Sequence, residues 1–143
     1  MVITRATEYA IRAVMFMAMQ PSGTTVLKKD ICREQEITPA FLTKILQPLI
    51  KSGIVGSHRG VRGGFYLSKS ADSITLLDVI KAEEGDIHLN LCLEEAGTCQ
   101  REAYCSVQKV WQEARAGLVE TLDSYTFARL VEMADQGQPL DLP

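Results

Sequence analysis

Two histidines, one tryptophan and no C-x-x-C pair among four cysteines leave this 143-residue chain poor in the groups most enzymes use. It has no H-E-x-x-H helix, no nucleophile elbow and no glycine-rich loop opening a helix, so zincin, hydrolase and nucleotide-binding chemistry have nothing to act through. Gly60-x-x-Gly63-Gly64 lies between two extended segments instead. Long apolar runs are missing as well. The longest, Ala13 to Met19, has seven residues, whereas a membrane span needs about 20. Glu8 interrupts the approach to that run and no small-residue cleavage site follows it, so the sequence predicts a cytoplasmic protein, with no membrane contact and with reduced thiols. Repeats and low-complexity stretches are absent. What remains, 46% hydrophobic and 23% charged residues, excludes a disordered chain and is enough for one real core without disulfides.

The net charge of −3 hides a division. Residues 1–70 hold ten Lys and Arg against four Asp and Glu, and residues 71–143 hold five against fourteen. A basic half followed by an acidic half points to a polyanion-binding module joined to a regulatory or assembly module.

Local patterns divide the chain further. Thr4 caps a helix running to Met19, with Ala6, Ala10, Ala13, Val14 and Met17 on one face, and Gln20-Pro21-Ser22-Gly23 ends it. A short extended piece, Thr24 to Leu27, leads into a second helix, Lys28 to Gln35. After the turn at Glu36-Ile37, Thr38 and Pro39 start a third helix, since a threonine N-cap and a proline at the first helical position are a favoured pair. Its apolar face is Phe41, Leu42, Ile45, Leu46, Leu49 and Ile50. Pro48 is a local conflict costing roughly 3 kcal/mol and predicts a kink or a tight last turn. Strands are expected at Ile54 to Ser57 and Phe65 to Ser68, with a fourth helix from Ser73 or Thr75 to about Glu84. Residues 86–104 show no periodicity and read as a linker. From Ser106 a helix of about four turns carries Val107, Val110, Trp111, Ala114, Leu118 and Leu122 on one stripe. Thr126 caps a last helix through Met133, and the polar tail from Gly137 is expected to fray.

Three constellations carry chemistry. The first three helices followed by a hairpin with Arg59 and Arg62 at its tip form a winged helix-turn-helix, which predicts DNA binding. Thr38, Ala40, Thr43 and Lys44 would face base edges; Lys28, Lys29, Lys51 and His58 are candidate phosphate contacts, and the tip arginines would reach phosphate or the minor groove. The second constellation is Cys92, Cys99 and Cys105 within fourteen residues of an irregular loop. Thiolates at this wide spacing suit an iron–sulfur cluster, either [4Fe-4S] or [2Fe-2S], which needs a fourth ligand. Candidates are His88, Glu94, Glu95, Glu102 and the distant Glu8. Zinc on the three cysteines plus His88 satisfies the same spacing, as does a thiol switch; a thiol redox enzyme is disfavoured, because no βαβ pattern surrounds the cysteines. Cys32 reads as a buried structural thiol. The third is the Trp111 helix. With the core supplied by the first half, its stripe (Val107, Val110, Trp111, Ala114, Leu118, Leu122) is expected to pack on a second copy.

Tyr9-Ala10-Ile11-Arg12-Ala13, Val55 to Tyr66 with Arg59-Gly60 and Gly63-Gly64, the three-cysteine loop and Thr126-Phe-Ala-Arg-Leu-Val-Glu132 together resemble the IscR/NsrR/CymR-type family of small bacterial winged-helix regulators, over nearly the whole chain. The resemblance implies a mainly α fold with a small β wing and a long C-terminal dimerisation helix. It implies homodimers on near-palindromic double-stranded operator DNA, acting as a transcriptional regulator, most simply a repressor. The implied divisions are a DNA-binding module at 1–70, a connecting helix at 71–85, a cysteine loop at 86–105, and a dimerisation helix with tail at 106–143. Carried over by position, the cluster cysteines fall on Cys92, Cys99 and Cys105, base-reading positions on Ala40, Thr43 and Lys44, and the wing arginine on Arg59. The IscR type has a histidine three residues after its last cysteine, where this chain has Gln108, and its first cysteine gap is one residue shorter. The NsrR type uses a carboxylate in the first helix, donated by the partner subunit, and Glu8 stands at that place. Glu8 is therefore the implied fourth ligand, and redox change, nitric oxide or cluster status the implied signal.

Overall fold

The computed structural model describes residues 3–137. The described residues form seven α-helices and one hairpin: α1 (Arg5–Ala18), α2 (Lys28–Gln35), α3 (Pro39–Lys51), β1 (Val55–His58), β2 (Gly64–Leu67), α4 (Leu76–Glu84), α5 (Leu91–Glu94), α6 (Ser106–Ser124) and α7 (Phe127–Asp135). The polar tail beyond Gly137 lies outside the described residues.

Four of the seven helix starts are made by a side chain the sequence marks, whereas α2, α5 and α6 begin without a side-chain cap bond. The Thr4 side chain accepts from the Thr7 N–H, Thr38 from Phe41 and Thr126 from Arg129. Of the two candidate starts of α4, Thr75 is the cap, in a reciprocal capping box with Asp78, while Ser73 closes a 3-10 turn. α3 runs through Pro48 to Lys51. The bond forfeited is the one to the Lys44 carbonyl, on a solvent-facing turn, and the helix closes tightly, with the Gly53 N–H donating to Ile50 at 3.1 Å. The strands sit one residue from their expected places. The stretch 86–104 holds one turn of helix at Leu91–Glu94 and a 3-10 turn at Glu102–Tyr104, too short to leave a period in the sequence.

α1 packs against α2, α3, α4 and α7. The main core runs from Ala10, Ala13 and Val14 through Ile31, Leu42, Ile45 and Leu46 to Ile74, Val79 and Phe127. It is therefore not confined to the first half of the chain. Phe127 has no exposed surface, and its N–H donates to the Ile74 carbonyl at 2.9 Å. A bridge between Thr75 and Thr126 brings the chain back to the point it left 51 residues earlier. A second cluster joins Leu77, Ile80 and Ile87 to Leu118, Val119 and Leu122 of α6.

The α6 stripe is thus divided. Leu118 and Leu122 pack against their own chain, whereas Val107, Val110 and Trp111 are 54%, 59% and 42% exposed, and Ala114 is exposed too. The reason is geometric: the apolar face of α4 meets α6 at Leu118, Val119 and Leu122, in its C-terminal half, and near its start α6 meets the short α5 through Gln108 and the Cys92 carbonyl.

Candidate nucleic-acid interface and cysteine loop

Tyr9 and Arg12 fasten the helix-turn-helix to α1. The Tyr9 ring meets Phe41 of α3 edge-on at 5.5 Å, and the Arg12 guanidinium lies 5.0 Å from the Tyr9 centroid. Arg12 also donates to the Gln35 carbonyl at 2.7 Å, supplying a cation at the end of α2. The turn itself bends at Glu36, in the left-handed region at φ 53°, and buries Ile37. α3 consequently presents Thr38, Ala40, Thr43 and Lys44 outward, all exposed. Thr43 is more committed than its sequence position indicates. Its hydroxyl donates to the Pro39 carbonyl at 3.0 Å and accepts from Lys28 Nζ at 2.6 Å.

The hairpin pairs Gly56 with Tyr66 and His58 with Gly64. A Cβ at Gly56 would overlap the Tyr66 ring. With none there, that ring lies across the strand and stacks on His58, 4.5 Å between centroids. Arg59, Val61 and Arg62 at the tip are exposed, and Val61 touches nothing. Phe65 exchanges backbone hydrogen bonds of 2.8 Å with Val26, a contact that a Cβ at Gly64 would block. This bridge fixes the wing beside α2. Between them lies a cleft of about 300 Å³ walled by Lys28 on one side and His58, Arg59, Gly60, Gly63 and Gly64 on the other. The sequence offers each of these residues singly; their meeting depends on the Val26–Phe65 bridge, for which Gly64 is the only local sign.

Cys92, Cys99 and Cys105 are all free thiols, each half-buried in the same loop, as Cys32 is on α2. Their donor chemistry fits a soft metal centre. As folded, however, no three His, Cys, Asp or Glu side chains converge among the described residues, so neither the set with Glu8 nor the set with His88 is assembled within one chain. His88 Nδ1 sits 3.1 Å from the Leu93 carbonyl, Cys92 donates to Asn90 Oδ1 at 3.2 Å, and Glu102 accepts from the Gly97 N–H at 2.6 Å. Gln108 is buried, with its amide donating to the Cys92 carbonyl at 3.4 Å. Glu8 is exposed in the first turn of α1.

Two carboxylates at the end of α4, unmarked by any sequence motif, connect these parts. Glu84 Oε1 accepts from the Thr4 N–H at 3.1 Å, from the Thr4 hydroxyl at 2.6 Å and from the Thr7 hydroxyl. These bonds lower its pKa and clasp the root of the cysteine loop to the helix bearing Glu8. Glu83 faces a groove of about 940 Å³ beside α3, with Lys44, Pro48 and Lys51 among its walls. Its Oε1 is buried without a hydrogen-bond partner. Burial first, and the neighbouring Glu84 charge second, push its pKa up to about 7. The folded state therefore holds a proton that the unfolded chain releases near the ordinary glutamate value, so stability declines as pH rises from there to about 7. Glu83→Gln is expected to raise the melting temperature by a few degrees at about pH 8 and by less at about pH 5, as thermal melts at both would record. An equal gain at both would mean that the carboxylate is not desolvated.

Among the described residues no helix is long and apolar enough to cross a membrane. Residues 3–133 match the family model "Rrf2: Iron-dependent Transcriptional regulator". The chain is 33% identical to the protein named rrf2 of Nitratidesulfovibrio vulgaris, over 94% of this chain and 89% of that one. It is 30% identical to the HTH-type transcriptional regulator NsrR of Shouchella clausii, over 92% and 89%. Among solved structures, CymR, the global cysteine regulator of B. subtilis, superposes with a TM-score of 0.78 at 24% identity, covering 93% of this chain and 98% of that one. IscR of T. potens does so with a TM-score of 0.76 at 23% identity, over 99% and 94%.

Proposed function

Because the chain belongs to the Rrf2 family of transcriptional regulators, we propose that it is a homodimeric, near-palindrome-binding repressor whose DNA affinity is set by an iron–sulfur cluster on Cys92, Cys99 and Cys105. The observation that carries this reading is the set of three free thiols in one sparsely bonded loop, rooted where Glu84 clasps α1. When bound, an iron–sulfur cluster supplies a centre sensitive to redox change and nitric oxide. The three thiolates would hold it, and Glu8 of the second subunit would complete the set, as the resemblance to the NsrR type implies. Coupling ligand capture to loop ordering is the ordinary behaviour of a site that is not preformed. The dimer would form through the exposed first half of α6, Val107, Val110, Trp111 and Ala114, with Leu118 and Leu122 fixing that helix to its own α4.

On DNA, α3 would enter the major groove with Thr38, Ala40, Thr43 and Lys44 toward base edges, and Arg59 and Arg62 would reach the backbone or minor groove from the wing. The test begins with anaerobic purification, a visible spectrum and iron and sulfide counts per chain, then selection of an operator from random duplexes. A brown protein whose operator affinity changes on cluster loss is expected. A colourless protein after anaerobic reconstitution would replace the cluster by zinc or thiol chemistry. Arg59→Ala is expected to weaken operator binding about tenfold without altering fold or colour, and Lys44→Ala to change sequence preference more than salt dependence. Fluorescence titrations over several salt concentrations separate the two, and unchanged affinity in Arg59→Ala would remove the wing from the interface.

A further inference from the structure

We propose that the cleft between Lys28 and the wing is a built seat for one phosphodiester group of the DNA backbone in each half-site, with Thr43 holding the Lys28 ammonium in place before DNA arrives. This rests on the DNA-binding reading and assigns to it a site that neither the recognition helix nor the wing tip provides alone.

Four observations converge on the cleft. It is about 300 Å³ and open, and Gly60 and Gly63 line it with backbone alone. Lys28 and Arg59 contribute cations from opposite walls, and His58 adjoins them, its ring steadied against Tyr66. The nearby acid, Asp30, pairs with Arg33 at 3.3 Å. The Lys28 amine is bonded to Thr43 Oγ1 at 2.6 Å, and that hydroxyl is anchored in turn to the Pro39 carbonyl. A flexible lysine ordinarily loses rotamer entropy when it meets a phosphate. Here the recognition helix has already removed much of that freedom, and two of ammonium's three hydrogens remain for phosphate oxygens. The wing cannot drift from this position, because the Val26–Phe65 bridge ties it to the residues just before α2. The seat therefore sets the distance between the strand gripped by the wing and the groove entered by α3.

The experiment uses the full-length dimer and its selected operator, with single neutral methylphosphonates placed along the backbone. Wild-type protein is expected to lose about tenfold in affinity at one phosphate per half-site, and Lys28→Ala, which removes the contact from both half-sites of the dimer, to lose about a hundredfold on unmodified DNA and nothing further when either phosphate is neutral. The salt slope of Lys28→Ala should fall by about one for each half-site contact, uniformly across sequences. Thr43→Val keeps the lysine charge and the methyl but frees the amine, so it should weaken binding by a smaller factor with the slope unchanged. If no methylphosphonate is coupled to Lys28, or if Lys28→Ala alters sequence preference instead of slope, the seat does not exist. Failure of wild-type protein to select any duplex would be a different result, against the DNA-binding reading itself.

Discussion

Phe127→Ala is expected to destabilise the protein by about 3–5 kcal/mol. That is a large part of the roughly 5–15 kcal/mol that holds a domain of ordinary size together. The phenyl ring is wholly enclosed in the main core, and α7 packs against α1, so truncation opens a cavity beneath the helix on which the helix-turn-helix is mounted. The melting temperature should drop by roughly 10–15 °C, and urea midpoints should fall with little change in slope. Operator binding should be lost on modest heating although no DNA-facing residue has been touched. A loss below about 1 kcal/mol would mean that α7 is undocked in solution and that the core closes without it.

The second large effect concerns the loop. Replacing Cys92, Cys99 or Cys105 by alanine is expected to leave anaerobically purified protein colourless, with iron and sulfide reduced to background. The melting curve of the metal-free protein should move little, because the three thiols are half-exposed and make few contacts beyond the Cys92–Asn90 bond. Cys32→Ala is the control. That thiol sits on α2 against the core, so its loss should leave iron and colour intact and cost stability instead. If Glu8 is the fourth ligand, Glu8→Ala should keep iron but shift the visible bands, since a carboxylate would be the weakest of the four. An unaltered spectrum and response in Glu8→Ala would remove Glu8 from the ligand set, and retention of full iron by a Cys99→Ala protein would remove the three-cysteine site.

Much of this architecture is written locally. Thr4, Thr38 and Thr126 announce their helices because capping is a matter of one side chain and the next turn, and Pro39 adds to that signal. The wing is legible from glycines and arginines between two short apolar runs. The outward face of α3 follows from the spacing of its apolar residues. What the sequence hides is long-range. Phe127 looks like one apolar residue in a terminal helix, and only the bridge between Thr75 and Thr126 places it in the core. Leu118 and Leu122 share a stripe with Trp111, yet α4 covers them and not it, because a period says which residues share a face and not how far a neighbour extends along it. Thr43 reads as a base contact, but its hydroxyl is engaged by Lys28, fifteen residues away. Glu83 and Glu84 are adjacent charges at a helix end, the commonest kind of solvated pair, and become distinct only when one meets Thr4 and Thr7 and the other loses its water.

The Thr75–Thr126 closure also bears on the order in which a cell makes this protein. Residues 1–70 are made before residues 71–143, and they carry the parts that would grip DNA, but their core stays open until Phe127 emerges. At about 5–20 residues per second that wait is roughly 3–10 s. During it the cysteine loop and α6 are synthesised in full. A nascent chain cut short anywhere in that interval lacks the residue that completes the body beneath α3, so it is more readily left to proteolysis than to an operator. Each chain whose core has closed on Phe127 has therefore already made its own cysteine loop.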